Sequence, residues 1–179
     1  MPTRRSRRPR ASRSALPPDR RRLPEPAPDP PRIPASAGAL IRDPERRLLI
    51  LKPTYKKGWT IPGGQIDPGG ESPWDACRRE TEEECGLVVE RGRLVCVDFL
   101  TPRPGRPGGV RFLFDCGTFS QEGLAGVRLQ ESEIEDHRLA ELDEALELLS
   151  GPLRRRLSQC AGSGRCVYLE NGRPIPGVR

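Results

Sequence analysis

The 179-residue sequence has only one histidine, no long apolar run and no closely spaced cysteine pairs. His137 stands beside no nucleophile in the sequence, so a Ser/His or Cys/His catalytic pair is not indicated. No stretch approaches the roughly 20 apolar residues of a membrane-spanning helix. No apolar run of about 7–15 residues suggests a secretory signal. We therefore expect a cytoplasmic chain without a membrane partner.

The cysteines are scattered, and a zinc site normally takes ligands at tighter spacing. Only the last two are near neighbours in the sequence. In the absence of a secretion signal, we expect reduced thiols rather than disulfides. The six positions are Cys77, Cys85, Cys96, Cys116, Cys160 and Cys166.

Proline is abundant, at 21 residues, and the apolar content of 34% is low for a globular protein. Residues 1–36 account for much of this, with ten prolines and ten arginines against three acidic residues. Such a segment cannot bury enough apolar surface to offset its ordering entropy, so we predict a disordered tail. Residues 37–155 are predicted to form the functional domain, and residues 156–179 a C-terminal extension with a short β-hairpin.

The positive charge is confined to the predicted tail. The whole chain has a formal charge of +6, whereas residues 1–36 alone have +7 and the remainder −1. A basic folded surface is therefore not indicated, and we expect no sequence-specific nucleic-acid partner. Weak, salt-sensitive attraction of the tail to nucleic acid or anionic lipid is the alternative interpretation.

Apolar periodicity and turn residues predict strands and helices that alternate along the chain. This order favours an α/β domain with a mixed sheet. Asn171-Gly172 is typical of a two-residue hairpin turn. Strands are predicted at 37–41, 47–51, 94–100, 110–118, around 126–130, and on both sides of the hairpin turn, and helices at 73–85 and 142–149.

The helix at 73–85 has the clearest boundaries. Ser72 is a candidate N-cap, Pro73 occupies the first helical position, and Asp75 the third. Gly86 is suited to the left-handed conformation that ends many helices. We therefore expect three to four helical turns between these residues.

Three glutamates, Glu80, Glu83 and Glu84, share one side of this helix because their spacing is i, i+3 and i+4. An acidic run alone is most often a solvated face. Like charges at this spacing repel, and a hard divalent cation such as Mg²⁺ would neutralise them. Gly63 and Gly64, which precede the helix in a Gly/Pro-rich loop, could bring backbone groups to the same ion or to a phosphate.

From Gly64 to Leu87 the chain resembles the Nudix box, G-x5-E-x7-R-E-U-x-E-E-x-G-U, in which U is a bulky apolar residue. Two departures are visible: one extra residue precedes Glu71, and Thr81 replaces a larger apolar residue. Neither removes a carboxylate. The matching positions are Glu71, Arg79, Glu80, Glu83, Glu84, Gly86 and Leu87.

The resemblance implies a Nudix-like α/β/α sandwich and a pyrophosphohydrolase that uses Mg²⁺ or Mn²⁺. Arg79 would orient Glu71, and Glu83 would serve as a further metal ligand or as the carboxylate that activates water. The family often adds an acidic residue from a later loop; among Glu131, Glu133 and Glu135 we select Glu133. The implied metal ligands are Glu80, Glu84, Glu83 and Gly64, the implied catalytic residues Glu83, Arg79, Glu71 and Glu133, and the candidate substrate-binding residues Gly63, Lys56, Lys57 and Tyr55.

The expected reaction is hydrolysis of a diphosphate linkage in a nucleoside diphosphate derivative, which is the small-molecule partner. A nucleoside triphosphate, including an oxidised one, a dinucleotide or a nucleotide sugar would qualify. Two other interpretations stay open: a non-catalytic Nudix-like nucleotide sensor, and an isoprenoid-diphosphate isomerase, for whose additional Cys/His metal site His137 is the only candidate histidine. The oligomeric state is also open, a homodimer being one alternative.

Overall fold

The computed structural model describes residues 32–178. Residues 1–31 of the predicted tail lie outside this range, and the first strand begins at residue 35, within the predicted tail segment. The strands are β1 Ala35–Arg42, β2 Leu48–Pro53, β3 Gly63–Gln65, β4 Arg93–Leu100, β5 Gly109–Thr118, β6 Ile134–Ala140, β7 Val167–Glu170 and β8 Arg173–Pro174. The helices are α1 Pro73–Cys85, α2 Gln121–Ala125, α3 Leu142–Leu148 and α4 Gly151–Cys160.

One mixed sheet runs in the order β6-β2-β1-β5-β4-β7-β8. β1 pairs with β5 and β4 with β7 in parallel, and the other pairs are antiparallel. The second edge of β1 is shared: its N-terminal half pairs with β3 and its last residue with β2. β3 is thereby held against the central strand, next to α1.

Successive side chains of β1 point to opposite faces of the sheet. Ala39 and Ile41 join the apolar cluster that contains Ala76 and Cys77 of α1. Leu40 joins the opposite cluster, together with buried residues of α3 and α4. The sheet therefore lies between two helical layers, which confirms the predicted Nudix-like α/β/α fold.

Residues 126–130 do not form the predicted strand. They are irregular, and their backbone N–H groups satisfy carbonyls at the end of α1: Arg128 donates to Cys85 (3.0 Å) and Gln130 to Glu84 (3.2 Å). The carbonyls at a helix C-terminus lack partners within the helix, so this segment caps α1. The strand that completes the sheet follows at β6.

The sequence analysis did not predict α4, and the predicted domain boundary at residue 155 lies inside it. Its apolar positions, such as Leu153 and Leu157, are interrupted by three consecutive arginines, which mask the helical period. The predicted hairpin after α4 is present, with positive φ at Asn171 and Gly172. Because β7 pairs with β4, the C-terminal residues belong to the same sheet. Among the described residues, no helix is long and apolar enough to cross a bilayer.

Asp98 joins the hairpin and α4 to the sheet. Its carboxylate is buried on β4, where one oxygen accepts from Arg156 Nε (2.6 Å) and the other from the Gly172 N–H (2.9 Å). A buried charge is costly unless it is paired and hydrogen-bonded. Both conditions are met here, so three separate elements are tied to one side chain.

We expect Asp98→Ala to lower the free energy of unfolding by about 3–5 kcal/mol, because it leaves the buried Arg156 without its counter-charge. Urea denaturation of the full chain measures this change. Glu144→Ala, which breaks the exposed Arg138–Glu144 pair, is the matched control and should cost about 1 kcal/mol or less. Equal losses in the two variants would contradict the structural role of Asp98.

Candidate functional site

Helix α1 begins and ends where the sequence predicts. The Ser72 hydroxyl accepts from the Asp75 N–H (3.1 Å), and Gly86 adopts a left-handed φ of 69° while its N–H donates to the Glu82 carbonyl. Buried Ala76 and Cys77 hold the helix on the sheet. The rotation of the helix is thereby set, and its acidic side lies beside β3.

Two glycines of β3 bring the backbone against these carboxylates. Gly63 has a φ of 140°, and a Cβ there would lie 2.2 Å from the Ala37 carbonyl oxygen. A Cβ on Gly64 would lie 2.3 Å from the Glu80 carboxyl carbon. Only residues without a side chain therefore allow β3, β1 and α1 to approach this closely.

Glu84 is buried, with 3% of its surface exposed, and its Oε2 accepts from the Gly63 N–H at 2.7 Å. Burial raises the pKa of Glu84 to about 7; the Gly63 hydrogen bond opposes the shift, and the charges of Glu80 and Glu133 add to it. Burial likewise raises the pKa of Glu80, against the effect of Arg79. Both carboxylates are therefore partly shielded from water and lie near other negative charges.

Arg79 lies among the remaining carboxylates. Its Nε and Nη2 donate to the two oxygens of Glu71 (2.8 and 3.1 Å), and Nη2 also donates to the Gln65 carbonyl (3.0 Å). Nη1 donates both to Glu80 (2.9 Å) and to Glu83 (3.0 Å). Hydrogen bonding to Glu71, foremost, raises the pKa of the guanidinium. Arg79 therefore connects the start of the box to the glutamates on the helix.

Glu71 closes the loop that precedes the helix. Besides Arg79, it accepts from the Asp67 N–H (2.7 Å). The Arg79 hydrogen bond, followed by that of Asp67, lowers the pKa of Glu71 to about 2. Gly69 and Gly70 lie in an exposed turn at φ of 116° and 105° with open space around them. This exposed turn has room for the extra residue of the loop, and the Glu71 contacts are intact.

The second departure from the box is also accommodated. Thr81 is fully buried, and its hydroxyl donates to the Cys77 carbonyl one turn earlier (2.7 Å). A buried hydroxyl is costly only when it lacks a partner. No buried side-chain oxygen or nitrogen among residues 32–178 is left without a hydrogen bond.

The three candidate carboxylates of the loop before and at the start of β6, Glu131, Glu133 and Glu135, differ in their surroundings. Glu133 is exposed, and its charge adds to the raised pKa of both Glu80 and Glu84, so it lies near the glutamate cluster. Its carbonyl accepts from the Thr54 N–H (2.8 Å). Glu135 is ion-paired with Lys52, and Glu131 is exposed.

The loop between β2 and β3 carries the candidate substrate-binding side chains. Lys56 Nζ lies 5.1 Å from the centre of the Tyr55 ring, and its charge acts to lower the pKa of Glu84. Tyr55 is 65% exposed, and Lys57 is exposed as well. Lys56 and Tyr55 therefore lie near the glutamate cluster, whereas no described contact ties Lys57 to it.

A cleft of about 340 Å³ opens beside Gly63 and Gly64, on the α4 side of the sheet. Arg111 of β5 and Arg156 of α4 line it, and the sequence analysis identified neither. Arg156 lies three residues after Leu153 and four before Cys160, and both of these residues are buried. Had α4 been predicted as a helix, this spacing would have placed Arg156 on its apolar face.

The donor set suits a hard divalent cation, because Glu80, Glu83 and Glu84 supply carboxylate oxygens, with Glu80 beside Gly64 and Glu84 bonded to the Gly63 N–H. As the side chains stand, however, no group of three or more acidic, histidine or cysteine residues within residues 32–178 is arranged to hold a metal ion. The contacts explain this: Glu84 is bonded to Gly63, and Arg79 is bonded to both Glu80 and Glu83. Ion binding would require these side chains to turn.

Comparison with known proteins agrees with this geometry. The family model of the NUDIX domain matches residues 32–159, so the chain belongs to the Nudix family. It is accordingly a pyrophosphohydrolase, of a family that acts on nucleoside diphosphate derivatives in general. No curated protein sequence matches the chain significantly.

Solved structures share the fold. A MutT NUDIX hydrolase from Burkholderia pseudomallei is 28% identical, with a TM-score of 0.59 over 70% of this chain and 96% of that one. An Ap4A hydrolase from C. elegans is 26% identical, with a TM-score of 0.56 over 71% of this chain and 96% of that one. A MutT protein from Methanosarcina mazei Go1 is 23% identical, with a TM-score of 0.58 over 68% and 87%.

The Glu71–Arg79 contact predicts a pH dependence of stability. The pKa of Glu71 is about 2 in the folded chain, below its ordinary value of 4.5. The contact therefore contributes stability above pH 4.5 that is lost as the pH falls through about 2. In melting experiments with a chelator, Glu71→Gln should show a flatter decline of Tm across this window than the unmodified chain.

The exposed Glu82 supplies the control for that experiment. Glu82→Gln also removes one negative charge, from α1 rather than from the preceding loop, and should keep the steep decline of the unmodified chain. A decline in Glu71→Gln that parallels the unmodified chain would show that Glu71 contributes nothing to this dependence.

Proposed function

We propose that the chain hydrolyses a diphosphate linkage in a nucleoside diphosphate derivative with the help of Mg²⁺ or Mn²⁺. One observation carries this proposal: the buried carboxylate of Glu84 and the half-buried carboxylate of Glu80 lie together against a side-chain-free backbone at Gly63 and Gly64 inside a Nudix box. Charges that repel each other and lack solvent are stabilised by a cation that accepts oxygen ligands.

Glu80 and Glu84 would hold the ion, with Glu83 and the Gly64 carbonyl as further ligands. A bound divalent ion supplies charge stabilisation on the phosphate oxygens and lowers the pKa of an attacking water. Arg79 would support this arrangement as an outer partner, because both oxygens of Glu71 anchor its guanidinium beside Glu80 and Glu83, although its bonds to these two carboxylates would change as they turn to the ion. Such outer partners orient ligands and raise metal affinity.

Glu133 is the proposed general base. A water oxygen bonds to phosphorus as the bridging P–O bond breaks, and the proton of the water passes to a carboxylate. Glu133 is exposed yet close enough to affect the pKa of Glu80 and Glu84. Its backbone is held by Thr54, whereas Glu135 is engaged by Lys52. Glu83, half exposed on α1, is the alternative carboxylate for this step.

Substrate contacts are proposed for the backbone of Gly63 and for Lys56, Lys57 and Tyr55. Lys56 and Gly63 line the same cleft, so an ammonium group and a backbone edge face one space. Tyr55 offers an exposed ring on which a base could stack. Among the relatives, one is an Ap4A hydrolase and two are MutT proteins. A dinucleotide, a nucleoside triphosphate, including an oxidised one, and a nucleotide sugar are the substrates to test.

A cytoplasmic location is part of the proposal. All six cysteines are free, and five of them are buried. Buried cysteines without disulfides fit a reducing compartment. A homodimer stays open as the oligomeric state.

Glu84→Gln tests the metal site. We expect kcat to fall by about a hundredfold or more, since even outer partners of a metal site are worth about 10–100-fold. Stability without metal should be equal or higher, because the neutral amide removes a charge whose burial is unfavourable. Turnover with Mg²⁺, with Mn²⁺ and with a chelator, together with melting in the chelator, measures both effects.

Glu82→Gln is the control, since it removes an exposed carboxylate of the same helical turn. It should leave turnover within about twofold. Undiminished turnover in Glu84→Gln would refute the site assignment. Tight nucleotide binding without turnover in the unmodified chain would favour the non-catalytic sensor instead.

Glu133→Gln tests the proposed base. We expect kcat to fall by about 10²–10⁴-fold, the usual contribution of a general base, with little change in KM. Glu131→Gln, in the same exposed loop, is the matched control. A loss confined to Glu83→Gln would transfer the role to Glu83.

A further inference from the structure

The lining of the 340 Å³ cleft is basic. Among residues 32–178, three cations, Lys56, Arg111 and Arg156, line it, and no aspartate or glutamate does. Lys56 belongs to the loop near the glutamate cluster, whereas Arg111 and Arg156 come from β5 and α4. The two guanidiniums therefore form a second charged region of the cleft, contributed by different elements from those that carry the Nudix box.

Arg156 is nine-tenths buried, with 10% of its side chain exposed. Its Nε donates to Asp98, and its terminal nitrogens have no hydrogen-bond partner among residues 32–178. They are not sealed in the protein either, since that part of the chain contains no buried unsatisfied side-chain nitrogen. The terminal N–H groups are therefore the part of Arg156 that reaches the cleft.

Arg111 contacts no carboxylate within the described part of the chain. Its terminal nitrogens donate to carbonyls of Val110 (3.1 Å), Gly108 (3.3 Å) and Pro34 (3.4 Å). Burial, followed by the like charge of Arg156, lowers the pKa of Arg111, and Asp98 opposes this shift. The Gly172 N–H already occupies the second oxygen of Asp98. Two neighbouring guanidiniums thus share one counter-charge, and an anion in the cleft would relieve their repulsion.

We propose that Arg111 and Arg156 bind a phosphomonoester of the substrate that is separate from the scissile diphosphate. This inference rests on the proposed function, because Gly63 and Gly64 at the other side of the cleft border the glutamate cluster. A phosphomonoester carries nearly two negative charges at neutral pH and has three acceptor oxygens. Guanidinium groups bind such oxygens with charge-assisted hydrogen bonds. The substrate class is a nucleoside diphosphate derivative with an additional phosphate.

Binding without turnover provides the first test. We would titrate the full chain, in a chelator, with adenosine 2′,5′-bisphosphate, adenosine 3′,5′-bisphosphate and AMP by calorimetry. At least one bisphosphate should bind about tenfold or more tightly than AMP, the scale of a charge-assisted hydrogen bond. Arg111→Gln should reduce this preference to about twofold or less, and Arg111→Lys should retain part of it, because the charge remains.

Arg91→Gln is the matched control, since it removes an exposed arginine that does not line the cleft. It should keep the full preference. Melting of each variant verifies that it is folded. Equal affinity of the unmodified chain for the bisphosphates and AMP would overturn the proposal, and so would an undiminished preference in Arg111→Gln.

Turnover provides the second test. With Mg²⁺, kcat/KM should be higher for NADPH than for NADH or for coenzyme A than for its dephospho form, and Arg111→Gln should abolish the difference. A preference only for UDP-glucuronate over UDP-glucose would show that the two arginines bind a carboxylate rather than a phosphomonoester, and would overturn the proposal. If no nucleotide is hydrolysed but the bisphosphate preference persists, the proposed hydrolysis fails and the anion site stands. Hydrolysis without any preference for the additional phosphate would leave the proposed hydrolysis standing and refute the anion site.

Discussion

The arrangement of Arg79 among carboxylates is the interaction on which the rest of the site depends. One guanidinium reaches Glu71 with two nitrogens and also Glu80 and Glu83, so it joins the loop before α1 to the acidic side of the helix. Its planar fork of donors makes this multiple contact feasible, which a lysine ammonium would not reproduce. The negative charge of the helix is thereby held in one orientation while Glu84 stays buried.

The same constraint shapes the fold around it. Glu80 and Glu84 can lie against the sheet only because Gly63 and Gly64 have no side chains, and β3 can lie there only because β1 leaves half of one edge to it. The two faces of the sheet then differ in charge. Carboxylates gather on the α1 side, and on the α4 side Arg111 and Arg156 line the cleft. β3 lies between these regions, so a substrate that extends from the cleft past Gly63 and Gly64 would meet both.

How much could be predicted from the sequence differs from element to element. The boundaries of α1 were predictable because Ser72 and Gly86 act within one helix, and the hairpin at Asn171-Gly172 because its turn is local. Residues 126–130 were mispredicted as a strand, since their backbone bonds to the end of α1 depend on contacts distant in sequence. α4 was missed because its apolar face contains a charged residue, whose partner Asp98 lies 58 positions away.

The sequence by itself determined the helix with its spaced glutamates, because a periodic helix fixes which side chains share a face, and the spacing of the box indicated the family. The pairing of Arg79 with Glu71 was expected only from the resemblance to that family. Only the tertiary structure decided how deeply Glu84 is buried, which loop carboxylate faces the cluster, and that Arg111 and Arg156 line one cleft. Burial and the meeting of β5 with α4 arise from packing between distant segments. No local pattern encodes them, and the charge of the cleft was therefore visible only after folding.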